Sequence, residues 1–507
     1  MCGLLFTNNP QVDLNKFRIA LNQFYYRGPN YSEVKKINSA LLGHNRLSIQ
    51  DLSLAGKQPF LSSSGRFIIV FNGEIYNFRE LAITHNIALK TGCDTELLIE
   101  LYEKQGKNML QELNGMFAFV IYDLKKNRYF SARDRLGIKP LYFFENNGFI
   151  TYSSEVNGLK SLFNIEEVNE WAIRQYKKVR MFFDGHTIYK NIRMFPAGHY
   201  DDNGDIKEYW SLPYAKNKQP PTDQELSDLI LSAVTYRRIA DVSLGSYLSG
   251  GIDSSIIATL AQEPDTWTIG FSDDNEFFWS DLVAIKIGSI HTKILVSYDE
   301  FINTAKDMIS IRQEPLSVPN EVLLYLMTKE VSKKNKVVLS GEGADELFFG
   351  YDRIFSWAME SINFDMEQFD NLYSYGKHKD YAVLEALIEP FNKKNYNCED
   401  IVSHFFQIRH LHGLLRRLDN STMRCGVEAR VPFVDHRLVE RMAGVSGTYK
   451  MANGIIKAPL KRIYKHILPK EVVDRKKIGF PVDLDKIFKQ GNDYDTWLNF
   501  NLKVLGI

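Results

Sequence analysis

Apolar runs in the first 155 or so positions are short and broken by turn formers, which predicts strands and turns rather than long helices. Residues 66–71 (RFIIVF) run into Asn72-Gly73, and residues 116–123 (MFAFVIYD) are also bounded by turn residues, so both read as strands. An Asn-Gly pair in that setting commonly marks a hairpin turn. Leu97, Leu98, Leu101 and Tyr102 recur at helical spacing and predict a helix over 95–104. A mixed α+β layer with two helical stretches fits this part of the chain.

The stretch 210–223 (WSLPYAKNKQPPTD) is polar, carries three prolines and has no periodicity, so it is the expected linker. Beyond it the pattern changes. Residues 242–248 predict a buried strand, followed by a Gly-Gly turn, a helix over 253–262 and a second strand over 266–271. Residues 336–340 (KVVLS) form another buried strand before a Gly-rich turn. Strands alternating with helices predict a parallel sheet that binds ligands at the C-terminal ends of its strands. From about 355 onwards the pattern is mostly helical. The expected organisation is an α+β domain over 2–210, a linker over 211–223, and an α/β parallel-sheet domain over 224–507 with a helical C-terminal part.

A length of 507 residues exceeds what one hydrophobic core usually covers, in keeping with more than one domain. Sixty-two basic residues balance sixty-two acidic ones, so no global field draws nucleic acid or an anionic membrane. No apolar span approaches about 20 residues, and MCGLLFTNNP has no basic segment ahead of a long apolar run, so neither a membrane helix nor a signal peptide is expected. The four cysteines (Cys2, Cys93, Cys398, Cys425) are widely scattered, with no metal or disulfide spacing. That usage fits a reducing cytoplasm.

One of those cysteines stands where chemistry is cheap to build. A small residue at position two favours removal of the initiator methionine, which makes Cys2 an N-terminal thiol. Its own α-amine, with a pKa of about 7.7–8.0, then serves as a built-in general base. Downstream lie Tyr26-Arg27-Gly28-Pro29, His44-Asn45-Arg46-Leu47-Ser48-Ile49, Asn72-Gly73-Glu74-Ile75-Tyr76-Asn77 and Gly92-Cys93-Asp94-Thr95-Glu96. In order and spacing these resemble the class II glutamine amidotransferase domain, an N-terminal nucleophile (Ntn) fold. Arg133-Asp134-Arg135-Leu136-Gly137 and Ser153-Ser154-Glu155 extend the match. Tyr26 and Asn30 stand where that family usually has histidine and aspartate, which bears on loop packing rather than on bond-making. The resemblance implies that the Asn72 amide and the Gly73 N–H form the oxyanion hole, that Arg46 holds the glutamine α-carboxylate, and that Asp94 and Glu74 fix its α-ammonium.

In the second half, Ser249-Gly250-Gly251-Ile252-Asp253-Ser254-Ser255 sits between a buried strand and a helix. Two glycines let the backbone wrap an anion beside a helix N-terminus, with serine hydroxyls as further donors. No Walker-type GxxxxGK[ST] loop is present. The segment resembles the pyrophosphate loop of ATP pyrophosphatases, and Ser340-Gly341-Glu342-Gly343-Ala344-Asp345-Glu346 is similar to the matching loop of glutamine-hydrolysing asparagine synthetases. Gly426-Val427-Glu428-Ala429-Arg430-Val431-Pro432-Phe433 and Lys476-Lys477-Ile478-Gly479-Phe480-Pro481 carry the resemblance to about residue 482.

That resemblance implies ATP and Mg²⁺ as cofactors, with Asp253 and Asp345 as carboxylates for the hard Mg²⁺ ion. It places the backbone of Tyr247 and Ile269 at the adenine, and Ser249, Gly250, Gly251, Ser254, Ser340 and Gly341 around the ribose and phosphates. Glu342 would assist formation of the acyl-adenylate and handle protons as ammonia attacks it. Lys457 would meet the α-phosphate, with Lys461 one helical turn on as the alternative. The implied reaction hydrolyses glutamine at Cys2, adenylates aspartate and passes ammonia through the protein to give asparagine. Homodimers are common among such enzymes. Residues 311–320, with Gln313, and 273–294, which keeps His291 of an expected His-His pair, depart from the family pattern near the expected acceptor site. They leave open another carboxylate, such as a uronic acid in surface-polysaccharide synthesis. A glutamine-sensing member without synthetase activity is a further alternative, against which the intact Cys2, Asn72-Gly73, Asp253 and Glu342 argue.

Overall fold

The computed structural model describes residues 2–476, 482–489 and 494–507. Of the motif at 476–481, residues 477–481 lie outside the described residues. The N-terminal part is a sandwich of two antiparallel six-stranded sheets. In the first, the strands run in the order Arg193–Met194, Tyr142–Asn146, Phe149–Ser153, Cys2–Thr7, Ala40–Arg46 and Tyr31–Ile37. The second runs Ile206–Glu208, His199–Asp202, Arg128–Arg133, Gly115–Asp123, Phe67–Ile75 and Phe60–Leu61.

Leu4, Phe6, Ala40 and Leu42 pack against Ile68, Val70, Ala118 and Val120 between the sheets. The outer faces are covered too. Phe17, Ala20 and Leu21 of the helix Leu14–Asn22 lie over one sheet, and Leu97, Leu98 and Leu101 of the helix Asp94–Gln105 over the other. Strands buried on both faces need apolar residues at successive positions, which is why these segments read as continuous runs. The strand expected over 66–71 runs longer: it continues through Asn72-Gly73, which forms no turn, to Ile75, with Asn72 opposite Ala118 and Gly73 opposite Phe117.

The C-terminal part is built on a parallel five-stranded sheet in the order Ile290–Val296, Asp265–Phe271, Leu244–Tyr247, Val337–Leu339, Glu428–Arg430. Chain order reverses between Leu244–Tyr247 and Val337–Leu339, so the loops after these two strands flank the crevice where such sheets bind ligands. Glu428–Arg430 departs from the helical pattern expected after 355, adding a fifth strand at the sheet edge beside Val337–Leu339.

No helix or strand lies between Glu208 and Asp223, but this stretch is a strap, not a loose tether. Lys218 N–H donates to Gly444 O at 3.0 Å, Trp210 Nε1 to Glu440 at 2.7 Å, and the Tyr214 ring stacks on His404 at 4.8 Å. Among the described residues, no helix is long and apolar enough to cross a membrane.

Candidate active sites

Cys2 begins the strand beside Ala40–Arg46 and lies opposite Arg46 in register. Its main-chain N–H donates to Asn72 Oδ1 at 3.0 Å, and its carbonyl accepts from Arg27 Nε at 3.1 Å. Burial works to raise the thiol pKa, but His44 beside it and the Leu47 N–H outweigh that and bring it down to about 7. His44, quoted from its motif with no role, holds its ring by a 3.0 Å bond from Nε2 to Phe71 O.

Asn72 is fully buried, and its Nδ2 has no hydrogen-bond partner among the described residues. A buried amide donor without a partner is costly, and one beside a nucleophile is placed to receive a developing oxyanion. Gly73 is a steric necessity. A Cβ there would run into Met116 O and come within 2.7 Å of Phe117 Cα.

The other residues expected at a glutamine site lie around this strand. Asp94 opens the helix Asp94–Gln105 and accepts from Ile75 N–H at 2.8 Å. Burial raises its pKa to about 6. Glu74 is raised well above the carboxylate range, first by burial and then by Asp94, against the pull of Arg430. Arg46 is turned toward its own loop, where it donates to Ser53 O at 2.6 Å, Gln50 O at 3.3 Å and Asp51 O. It braces the segment 50–53.

At the switch point, Gly250 has φ +76°, and a Cβ would come within 2.6 Å of the Ser280 nitrogen. Ser249 Oγ lies 3.1 Å from Ser254 Oγ, and Ser255 Oγ donates to Gly251 O at 2.7 Å, so hydroxyls brace the loop ahead of the helix Ile252–Ala261. The second loop packs tightly on the first: a Cβ on Gly341 would lie 2.8 Å from the Ser254 nitrogen. Tyr247 buries its phenol on Thr328 at 2.6 Å, leaving its main chain at the strand end. Ile269 lies inside its strand opposite Ile294.

Lys457 Nζ stands between the two acids, on Asp345 Oδ1 at 2.5 Å and on Asp253 Oδ2. Burial works to discharge it, but the two carboxylates outweigh that and keep it protonated. Lys457, not Lys461, is therefore the lysine on the acids. Glu342 pairs with Arg417 at 2.7 Å. Glu346, to which no role fell from sequence, is pushed up to about 8 by burial and by Asp345, and accepts from Tyr351 OH at 2.6 Å.

Among the described residues no cluster of three or more metal-ligating side chains occurs. A pair of carboxylates meeting at one cation suits a metal that draws its remaining ligands from phosphate and water, as Mg²⁺ does.

A buried thiol with an amide donor beside it, joined to a parallel sheet with an anion-binding loop at its switch point, defines a glutamine amidotransferase coupled to an ATP-dependent ligase. The family model described as asparagine synthase matches residues 225–503, and that described as glutamine amidotransferase domain matches residues 1–210. The chain belongs to the glutamine-hydrolysing asparagine synthetase family. It is 28% identical to asparagine synthetase [glutamine-hydrolyzing] 1 of Bacillus subtilis over 98% of this chain and 89% of that one. It is also 28% identical to asparagine synthetase B [glutamine-hydrolyzing] of Escherichia coli, over 94% and 81% respectively. The solved glutamine phosphoribosylpyrophosphate amidotransferase from B. subtilis is more distant, at 14% identity and a TM-score of 0.31 over 70% of this chain and 78% of its own.

Proposed function

We propose that the chain makes asparagine from aspartate, glutamine and ATP in two half-reactions. In the first, the α-amine, held by Asn72 Oδ1, takes the thiol proton as Cys2 attacks the side-chain amide carbon of glutamine, and passes it to the departing nitrogen. The C–N bond breaks to release ammonia, and water hydrolyses the thioester to glutamate. Asn72 Nδ2 and the Gly73 N–H take the oxyanion, Asp94 and Glu74 the α-ammonium, and Arg46 the α-carboxylate side.

In the second, a carboxylate oxygen of aspartate attacks the α-phosphorus of ATP and pyrophosphate leaves. The loop of Ser249, Gly250, Gly251 and Ser254, facing Ser340 and Gly341, receives the phosphates, and the main chain of Tyr247 and Ile269 borders the adenine. Lys457 moves from its acids to the α-phosphate. Ammonia then attacks the acyl carbon, AMP departs, and Glu342 accepts the proton. Asp253 and Asp345 would hold Mg²⁺, which neutralises the charge of the leaving pyrophosphate. We place the division of labour at 2–210 and 224–507, and the reaction in the cytoplasm, where four free cysteines stay reduced.

The observation that carries this reading is Asn72, with its amide oxygen on the Cys2 nitrogen and its amide nitrogen buried without a partner. The test is pyrophosphate release with MgATP, glutamine and aspartate, run beside Cys2→Ala. Aspartate-stimulated release, formation of asparagine, and a variant that works only with added ammonia support it. Glutamine hydrolysis with no response to aspartate would move the acceptor to another carboxylate and overturn the asparagine assignment.

A further inference from the structure

Arg430 is fully buried at the end of the edge strand Glu428–Arg430 of the synthetase sheet, yet its side chain ends in the glutaminase site. Its fork is fixed on three sides by its own domain. Nε donates to Glu428 at 2.5 Å, and Nη1 to the carbonyls of Arg237 at 2.9 Å and Ile239 at 2.7 Å. The remaining nitrogen, Nη2, points across the domain boundary to Glu74 Oε2 at 3.2 Å, an ion pair without the alignment of a hydrogen bond. The guanidinium also lies over the Tyr76 ring at 5.5 Å. Glu74 Oε1, on the other side of the carboxylate, has no hydrogen-bond partner among the described residues.

Glu74 needs such a cation. It is buried beside a second carboxylate, Asp94, with Glu428 also in its field, and these groups favour the neutral acid. A neutral acid holds the α-ammonium of an amino acid poorly. We propose that Arg430 is a positioning residue for the glutamine subsite, supplied by the synthetase domain, which holds the Glu74 carboxylate in place and charged to receive the α-ammonium. The subsite is thus incomplete within the N-terminal sandwich alone. The same residue accepts a 2.9 Å bond from Ser340 N–H through its main chain, so the strand that aims the guanidinium is tied to the nucleotide loop. This inference rests on the reading of Glu74 as part of a glutamine site.

The experiment is glutamine hydrolysis by the full chain carrying Arg430→Met, Arg430→Lys, Glu74→Gln or Arg430→Met with Glu74→Gln. Arg430→Met is expected to raise the glutamine KM about tenfold or more, as loss of one partner of a buried ion pair does, with kcat within about threefold because Cys2 and Asn72 are untouched. Arg430→Lys recovers part of the loss. Without the arginine the fall of KM with rising pH moves to higher pH, a change that loosened packing would not produce, and on the Glu74→Gln background Arg430→Met adds little. A KM within twofold of the parent with an unshifted pH profile, or full additivity of the two substitutions, overturns the proposal. If Arg430→Met does not fold, Arg430→Lys and Glu74→Gln carry the same comparison through their pH profiles. A parent chain that hydrolyses no glutamine fails the functional reading itself, which is a distinct outcome.

Discussion

Asn72 meets Cys2 through its amide oxygen, 3.0 Å from the main-chain nitrogen, and keeps its amide nitrogen unused in the buried space beside the thiol. In the proposed reaction this one side chain both places the base and receives the oxyanion. Asn72→Ala is expected to lower the kcat of glutamine hydrolysis by about 10²–10³-fold, the usual loss of one oxyanion donor. Pyrophosphate release driven by added ammonia checks that the second site survives.

If Glu74 and Asp94 receive the α-ammonium as proposed, glutamine binding is expected to release a proton. Both have raised pKa values, Asp94 at about 6, so the pair keeps its proton to higher pH than free carboxylates do. An incoming α-ammonium favours the ionised form and expels it. Affinity for glutamine should rise as pH increases from 6, and the sign is opposite for stability: a carboxylate raised in the folded state contributes less as pH climbs past its unfolded value toward its folded one. Calorimetry on Cys2→Ala in two buffers of different ionisation enthalpy reads the released proton. Equal heats in both would contradict it.

Lys457 keeps two carboxylates together that would otherwise repel. Lys457→Met removes that charge and leaves Asp253 and Asp345 facing each other. The variant should bind Mn²⁺ more tightly than the parent in the absence of nucleotide, measured by paramagnetic relaxation. Its aspartate-dependent pyrophosphate release should fall by about 10²-fold or more, since a fixed cation at a transferring phosphoryl group is lost.

Much of this was readable in the chain, and where it was not the reasons are physical. Apolar runs located five of the strands, within two residues at every end but that of 66–71, because strands buried on both faces demand such runs. The strand over 66–71 was read as ending ahead of Asn72-Gly73, but local turn preference gave way to pairing: Gly115–Asp123 offers the strand partners as far as Ile75. The short strand Glu428–Arg430 was hidden in a helical stretch, since three residues carry no period. Arg430 sat inside a quoted motif without a role. Its partners Glu74, Arg237 and Ile239 lie about 190 or more positions away, and only the folded chain brings them together.

Asp419 draws together Arg27 at 2.9 Å and Lys139 at 3.1 Å across the domain boundary, and Arg27 also holds Glu155 at 2.5 Å. All four side chains are nearly inaccessible to water. Asp419→Asn leaves Lys139 buried without its acid, and should destabilise the fold by about 3–5 kcal/mol. Chemical denaturation followed by tryptophan fluorescence would register the loss as a lower midpoint; an unchanged midpoint would count against it.

That same cluster bears on how such a chain can be recombined. Arg27, Lys139 and Glu155 belong to the sandwich, and Asp419 comes from the helix Leu411–Met423 on the other side. Cut free, the sandwich would present two cations and one carboxylate on a surface shaped to be dry. Grafted onto a different synthetase, it would face the same imbalance unless the new host supplied an acid at that spot. The glutaminase half is therefore no interchangeable cassette, and a functional chimera would have to carry the helix that bears Asp419 along with it.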